Sequence, residues 1–138
     1  MTISAARARQ QYSRDAILSA SPIRLLTMLY DRLLLDLRRA EAAQEAGEWL
    51  GARENLLHAQ DIVAELTATL RPGAWDGAAG LRGIYDYVHT ALIHANIHRD
   101  VARTREAAAL LEPLRQSWHA AAASVPAEPS PTGGYGLG

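Results

Sequence analysis

Along four separate stretches of the chain, apolar residues recur at spacings of three and four, the period of a helix with one buried face. In the first stretch Leu26, Leu29, Leu33, Leu37 and Ala40 share a stripe. Ser21 before Pro22 is a start signal: the Ser oxygen can accept from unpaired N–H groups of the first turn, and Pro at the first position removes only a donor that has no partner there. Gly47 supplies the stop, so a helix is expected from Pro22 to about Ala46. A second stripe, Ala52, Leu56, Ala59, Val63, Leu66 and Leu70, follows Glu48 with a strict four-three alternation until Arg71-Pro72-Gly73 ends it. Gly77 to Gly83 reads as a loop or a frayed helix start, and Leu81, Ile84, Val88, Leu92 and Ala95 form a third stripe ending near His98. Asp100 restarts a helix as a cap. Its stripe is Ala107, Leu111, Leu114, Trp118 and Ala121, and Pro113 inside it is expected to bend or interrupt it by removing one backbone bond.

Four amphipathic helices with short links predict an all-α fold, an antiparallel four-helix bundle over residues 22–123. Residues 1–21 are expected to form a short mobile N-terminal segment. Within it Ala5, Ala8, Tyr12 and Ala16 keep a near-helical spacing with Ile17 beside them, a piece too short to be stable alone and so expected to dock as a plug. Residues 124–138, rich in Pro and Gly and poor in aliphatic side chains, are expected to be a disordered tail.

With 138 residues, 49% of them hydrophobic and 21% charged, the chain has ordinary globular composition and fits one domain. The net charge is -1, and the 14 basic residues, all Arg, are scattered, which argues against a nucleic-acid partner. Cysteine is absent, which excludes disulfides, thiol catalysis and thiolate metal sites and suits a reducing cytosol. No stretch is long and apolar enough for membrane insertion, and Met1 to Ala20 lacks the core of a secretory signal.

The chemistry-bearing side chains do not complete a catalytic set. His94 and His98 stand one turn apart, a spacing that can chelate a metal, but Ala95 occupies the place where a zinc protease carries its Glu. Asp86 and His89 imitate half of a di-iron motif without a second copy, and Glu54 with His58 is the kind of pair that helix surfaces show by chance. The Gly-rich run at Gly134 to Gly138 has no strand before it and no helix after it, so it is not a phosphate loop. No enzyme, cofactor or metal is expected on these grounds. The unexplained feature is an excess of apolar residues on the first helix. Ile23, Leu25, Met28, Tyr30, Leu34 and Leu35 fall outside its main stripe and predict either wider burial or a second apolar surface able to accept a partner's amphipathic helix.

Read as one unit, Tyr12-SRDA-Ile17-LSASP-IRLLTMLYD resembles the N-terminal signature of the flagellin export chaperones, the FliS family, in which Tyr, a β-branched residue and an ASP tripeptide precede L-x-x-MLYD. The likeness continues through Asn55-LL-x-AQDIVAEL-x-x-x-L, through Ile84-YDYVHTALIHAN with Asp100 four residues after Asn96, and into Leu111-x-x-LRQSW at Trp118, so it covers roughly Tyr12 to Ala122. Ser19 stands where the family often has Thr, Arg32 where it often has Gly, and Phe is absent. The resemblance implies a cytosolic chaperone that binds the disordered C-terminal region of flagellin, prevents its premature polymerisation and delivers it to components of the flagellar export gate, as a monomer or homodimer. The candidate partner-binding residues are then Tyr12, Ile17, Ile23, Leu25, Leu26, Met28, Leu29, Tyr30, Tyr85 and Tyr87. The alternatives are a generic helical adaptor for another protein and a metal-dependent bundle enzyme using the histidines.

Overall fold

The structure is a computed structural model and describes residues 5, 7, 21–71, 73 and 75–124. Four helices make up the described chain: α1 (Pro22–Glu45), α2 (Trp49–Ala68), α3 (Ala78–Ile97) and α4 (Val101–Ser124). Each begins and ends close to where its stripe and stop residues require. Ser21 lies at the N-cap of α1 in extended backbone, and its Oγ accepts from the Arg24 N–H at 3.4 Å. At the other end Gly47, at φ +73°, turns the chain through the left-handed region, and the Glu48 N–H closes onto the Ala43 carbonyl at 2.8 Å.

Two expectations about helix limits change. Helix α3 begins at Ala78, so Gly80, Leu81 and Gly83 are helical and the loop is shorter than their glycines imply; burial of Ala78 and Leu81 against the core outweighs the weak helix propensity of Gly. Pro113 does not interrupt α4, which runs on for more than two turns past it. The plug expected over residues 1–21 and the tail expected over 124–138 lie, apart from Ala5, Arg7, Ser21 and Ser124, outside the described residues.

Helix α1 packs against α2 and α4, and α3 packs against the same two, so α1 and α3 face each other across the core. Cross-helix pairs fix the directions. Asp31 and Glu41 of α1 meet Arg115 and Arg105 of α4, so α4 runs antiparallel to α1, and the short link between Glu45 and Trp49 turns α2 back along α1, where His58 meets Asp36. The core is built from the predicted stripes, with Leu33, Leu37, Leu56, Val63, Leu66, Val88, Leu92 and Leu111 all buried. Tyr30 and Leu34 join them, because α1 buries a face wider than a single stripe.

Three polar contacts inside the bundle set its register. The Asp36 carboxylate is buried, accepting from Arg32 Nε at 2.9 Å through one oxygen and from the His58 imidazole through the other. Gln44, also buried, accepts from Thr104 Oγ1 at 2.7 Å and donates to the Ala95 carbonyl at 3.4 Å, which ties α1, α3 and α4 together. Tyr30 and Tyr85 share a hydrogen bond of 2.6 Å across the core. Each group finds its partner on another helix, as burial of a polar group demands.

Candidate functional site: an apolar cleft between α3 and α4

At the end of the bundle where α1 and α3 begin and α4 ends, the first turns of α3 and the last turns of α4 leave a cleft of about 380 Å³. Its walls are Leu81 and Ile84 from α3, Leu114, Ser117, Trp118 and Ala121 from α4, and Trp75, Gly77 and Gly80 at its mouth. Apart from the Ser117 hydroxyl, which is turned back to the Pro113 carbonyl at 3.0 Å, the side chains are apolar. Helical spacing explains the α4 wall: Leu114, Trp118 and Ala121 continue the buried stripe of Ala107 and Leu111 past the point where α3 can cover it.

The aromatic mouth depends on a glycine. A Cβ at Gly77 would fall 1.9 Å from the Trp75 ring, so any other residue there would drive the indole away. Trp75 itself is 50% exposed and lines the cleft. Deeper in, the Trp118 indole nitrogen is buried, and the indole acts on the Tyr30 hydroxyl of the core. Below the cleft stands the Tyr30–Tyr85 pair, whose rings lie 6.5 Å apart. Burial raises both phenols above their ordinary value; for Tyr30 it outweighs the opposing influence of Tyr85 and Trp118, and for Tyr85 the bond to Tyr30 adds to it. The arrangement can take an apolar side chain or helix face. Its one hydroxyl, on Ser117, is bonded back to its own helix, and no acid–base pair lines the cleft.

The family description of the flagellar protein FliS matches residues 5–125 of this chain. The flagellar secretion chaperone FliS of Bacillus subtilis is 32% identical over 107 residues, covering 78% of this chain and 80% of that protein. That of Salmonella typhimurium is 32% identical over 120 residues, covering 85% and 89%. The chain belongs to the FliS family of flagellar secretion chaperones. This is a family of chaperones and not of enzymes. The fold agrees: a crystal structure of a flagellar chaperone from bacteria aligns with a TM-score of 0.69 at 21% identity, over 88% of this chain and 100% of that one.

The candidate residues named from the sequence do not form one surface. Tyr12 and Ile17 lie outside the described residues. Ile23, Leu25, Leu26, Met28 and Leu29 are half-buried on the first two turns of α1, with Leu26 and Leu29 against the core. Tyr30, at 0% exposure, and Tyr85, at 1%, are core residues occupied with each other, so the intact bundle does not present them to a partner. Tyr87 is exposed but away from the cleft. It donates to Glu106 at 2.8 Å, and that bond, followed by the Arg103 guanidinium, holds Glu106 below the usual carboxylate range. Three of the histidines weighed for metal chemistry have other contacts: His58 binds Asp36, and His94 faces Asp100 at 3.4 Å with the His98 ring 4.4 Å from its own.

The sequence reading missed Trp75 and undervalued Leu114 and Trp118. A large aromatic inside the Pro/Gly-rich link Arg71 to Gly77 was the available signal, because linkers seldom carry a Trp that packs nowhere.

Proposed function

We propose that this chain binds the C-terminal region of flagellin in the cytosol, keeps it from polymerising and brings it to the flagellar export apparatus. Family membership supports a flagellar client, and the observation that carries the reading is the open apolar cleft with its Trp75 and Trp118 rings. An amphipathic segment would lay its apolar side chains against Leu81, Ile84, Leu114 and Trp118, with the half-buried α1 residues Ile23, Leu25 and Met28 extending the contact. A disordered client loses about 2–5 kcal/mol in ordering, so an interface above about 1,600 Å² is needed, more than the cleft alone provides. The flagellin segment therefore runs on over neighbouring helices.

The test uses positions that line the cleft without holding the core. Ser117→Arg and Ala121→Arg should each weaken binding of a flagellin C-terminal peptide at least tenfold in titration calorimetry, with melting temperatures within a few degrees of the parent. Unchanged affinity in both folded variants would remove the cleft from the reading.

A further inference from the structure

A second cleft, of about 330 Å³, opens at the opposite end of the bundle, between the start of α2 and the end of α3. Gln44 lies at its floor, Trp49 and Arg53 line it from α2, and Asn96, Ile97 and Arg99 from the end of α3. Its character is unlike that of the apolar cleft. Four arginines elsewhere in the bundle, Arg32, Arg103, Arg105 and Arg115, pair with carboxylates, whereas neither Arg53 nor Arg99 has a carboxylate partner among the described residues. Of the nearby acids, Glu45 pairs with Arg105, and Asp100 with His94 and the Ala102 N–H, while Glu48 before Trp49 pairs with neither arginine.

Arg99 is also held in an unusual way. It occupies the turn position after α3 at φ +50°, with the Asp100 N–H closing onto the Ala95 carbonyl at 3.0 Å. This is the geometry that Gly47 serves after α1, and an L side chain adopts it only at an energetic cost. What that backbone achieves is to place the Arg99 guanidinium carbon 4.9 Å above the Trp49 ring, at the cleft. Beside the cleft, Leu50 at 70% and Ile97 at 67% are the most exposed large hydrophobic residues described. Unpaired guanidiniums bracketed by exposed aliphatic side chains match a peptide better than a small inorganic anion, which would leave Leu50 and Ile97 in water.

We propose that this cleft binds an acidic peptide segment of a partner protein, one carboxylate held by Arg53 and Arg99 and the aliphatic residues beside that acid covering Leu50 and Ile97. The site is separate from the apolar cleft, and its occupant is defined by charge rather than by apolar surface alone.

The test selects from a displayed library of random twelve-residue peptides on the full chain, with counter-selection on Arg99→Gly and on Arg53→Gln. Gly suits φ +50°, so Arg99→Gly should melt at the parent temperature or above it, which separates loss of the guanidinium from loss of fold. Peptides rejected by both variants should carry Asp or Glu flanked by Leu, Ile, Val or Met. Their synthetic forms should shift the Trp49 indole and Arg99 Nε–H signals in nuclear magnetic resonance spectra and should bind at least tenfold more weakly when the acid is changed to its amide. Ser117→Arg should leave that binding intact, so failure at one cleft is distinguishable from failure at the other. Absence of any arginine-dependent peptide, or no enrichment for acid among those found, overturns the proposal. Saturation of the same signals by inorganic phosphate at lower concentration than by any peptide reassigns the cleft to a small anion and overturns it equally.

Discussion

Tyr30→Phe removes one hydroxyl of a pair bonded at 2.6 Å in the core and leaves the other buried without a partner. A stranded hydroxyl costs about 1–3 kcal/mol, so either single Phe variant should unfold at lower urea, whereas the double variant should lose less than the sum of the two. Additive losses in that double-mutant cycle would mean that the bond contributes nothing. The same pair sets a response to alkali. Burial raises both phenols above the usual value of 10.0, so their contribution is complete below about pH 10 and is lost as pH rises further, because only the unfolded chain ionises easily there. With every one of the 14 basic side chains an Arg, no lysine titrates in that window to obscure the effect. Urea midpoints should fall above pH 10 in the parent and fall less steeply in the Tyr30→Phe/Tyr85→Phe variant; parallel profiles would assign alkaline unfolding to other groups.

Among the elements, α4 carries a local conflict. Pro113 lies in its interior, where it supplies no N–H to the preceding turn, yet the helix continues to Ser124 because Leu111, Leu114 and Trp118 on either side are held by the core. Since Pro113 is exposed, Pro113→Ala should restore the backbone bond without disturbing packing and stabilise the protein by about 1–3 kcal/mol, offset in part by a freer unfolded chain. A lower melting temperature would show that the Pro-shaped helix is what the neighbours fit. The turn after α1 behaves in the opposite sense. Gly47 at φ +73° has open space around it, so Gly47→Ala should cost about 1 kcal/mol through backbone strain alone.

For the whole molecule, the two clefts lie at opposite ends, one apolar and one cationic, and Ser21, where residues 1–20 join the bundle, is at the apolar end. A plug formed by that segment would compete with flagellin for the apolar cleft and lower its apparent affinity by the fraction of molecules left open. Deleting residues 1–14 should then speed association and tighten binding of a flagellin C-terminal peptide while leaving acidic peptides at the cationic cleft unaffected. Weaker binding would make Tyr12 a contact for flagellin instead, and equal rates and affinities would end the competition model.

Local pattern alone was sufficient for the four helices, their order and the family, since a stripe at helical spacing between a cap and a glycine can bury itself in few ways, and the blocks around Tyr12, Asn55, Ile84 and Trp118 follow one another in family order. The stripe also named Leu33, Leu56, Val88 and Leu111 as core, because burial of one face is a property of the helix itself. Pairings between helices were not legible. Asp36 and His58 are ordinary helix residues 22 positions apart, and only packing of α1 on α2 turns them into a buried pair. Tyr30 stood outside the main stripe of its helix, open to wider burial or to a partner surface, and Tyr85 was a candidate only through the family resemblance; 55 residues separate them, and only the facing of α1 and α3 closes their hydroxyls on one another inside the core. The clefts are likewise products of tertiary structure. Each is lined by residues of different helices, far apart in sequence, which only the packing of the bundle brings to one place.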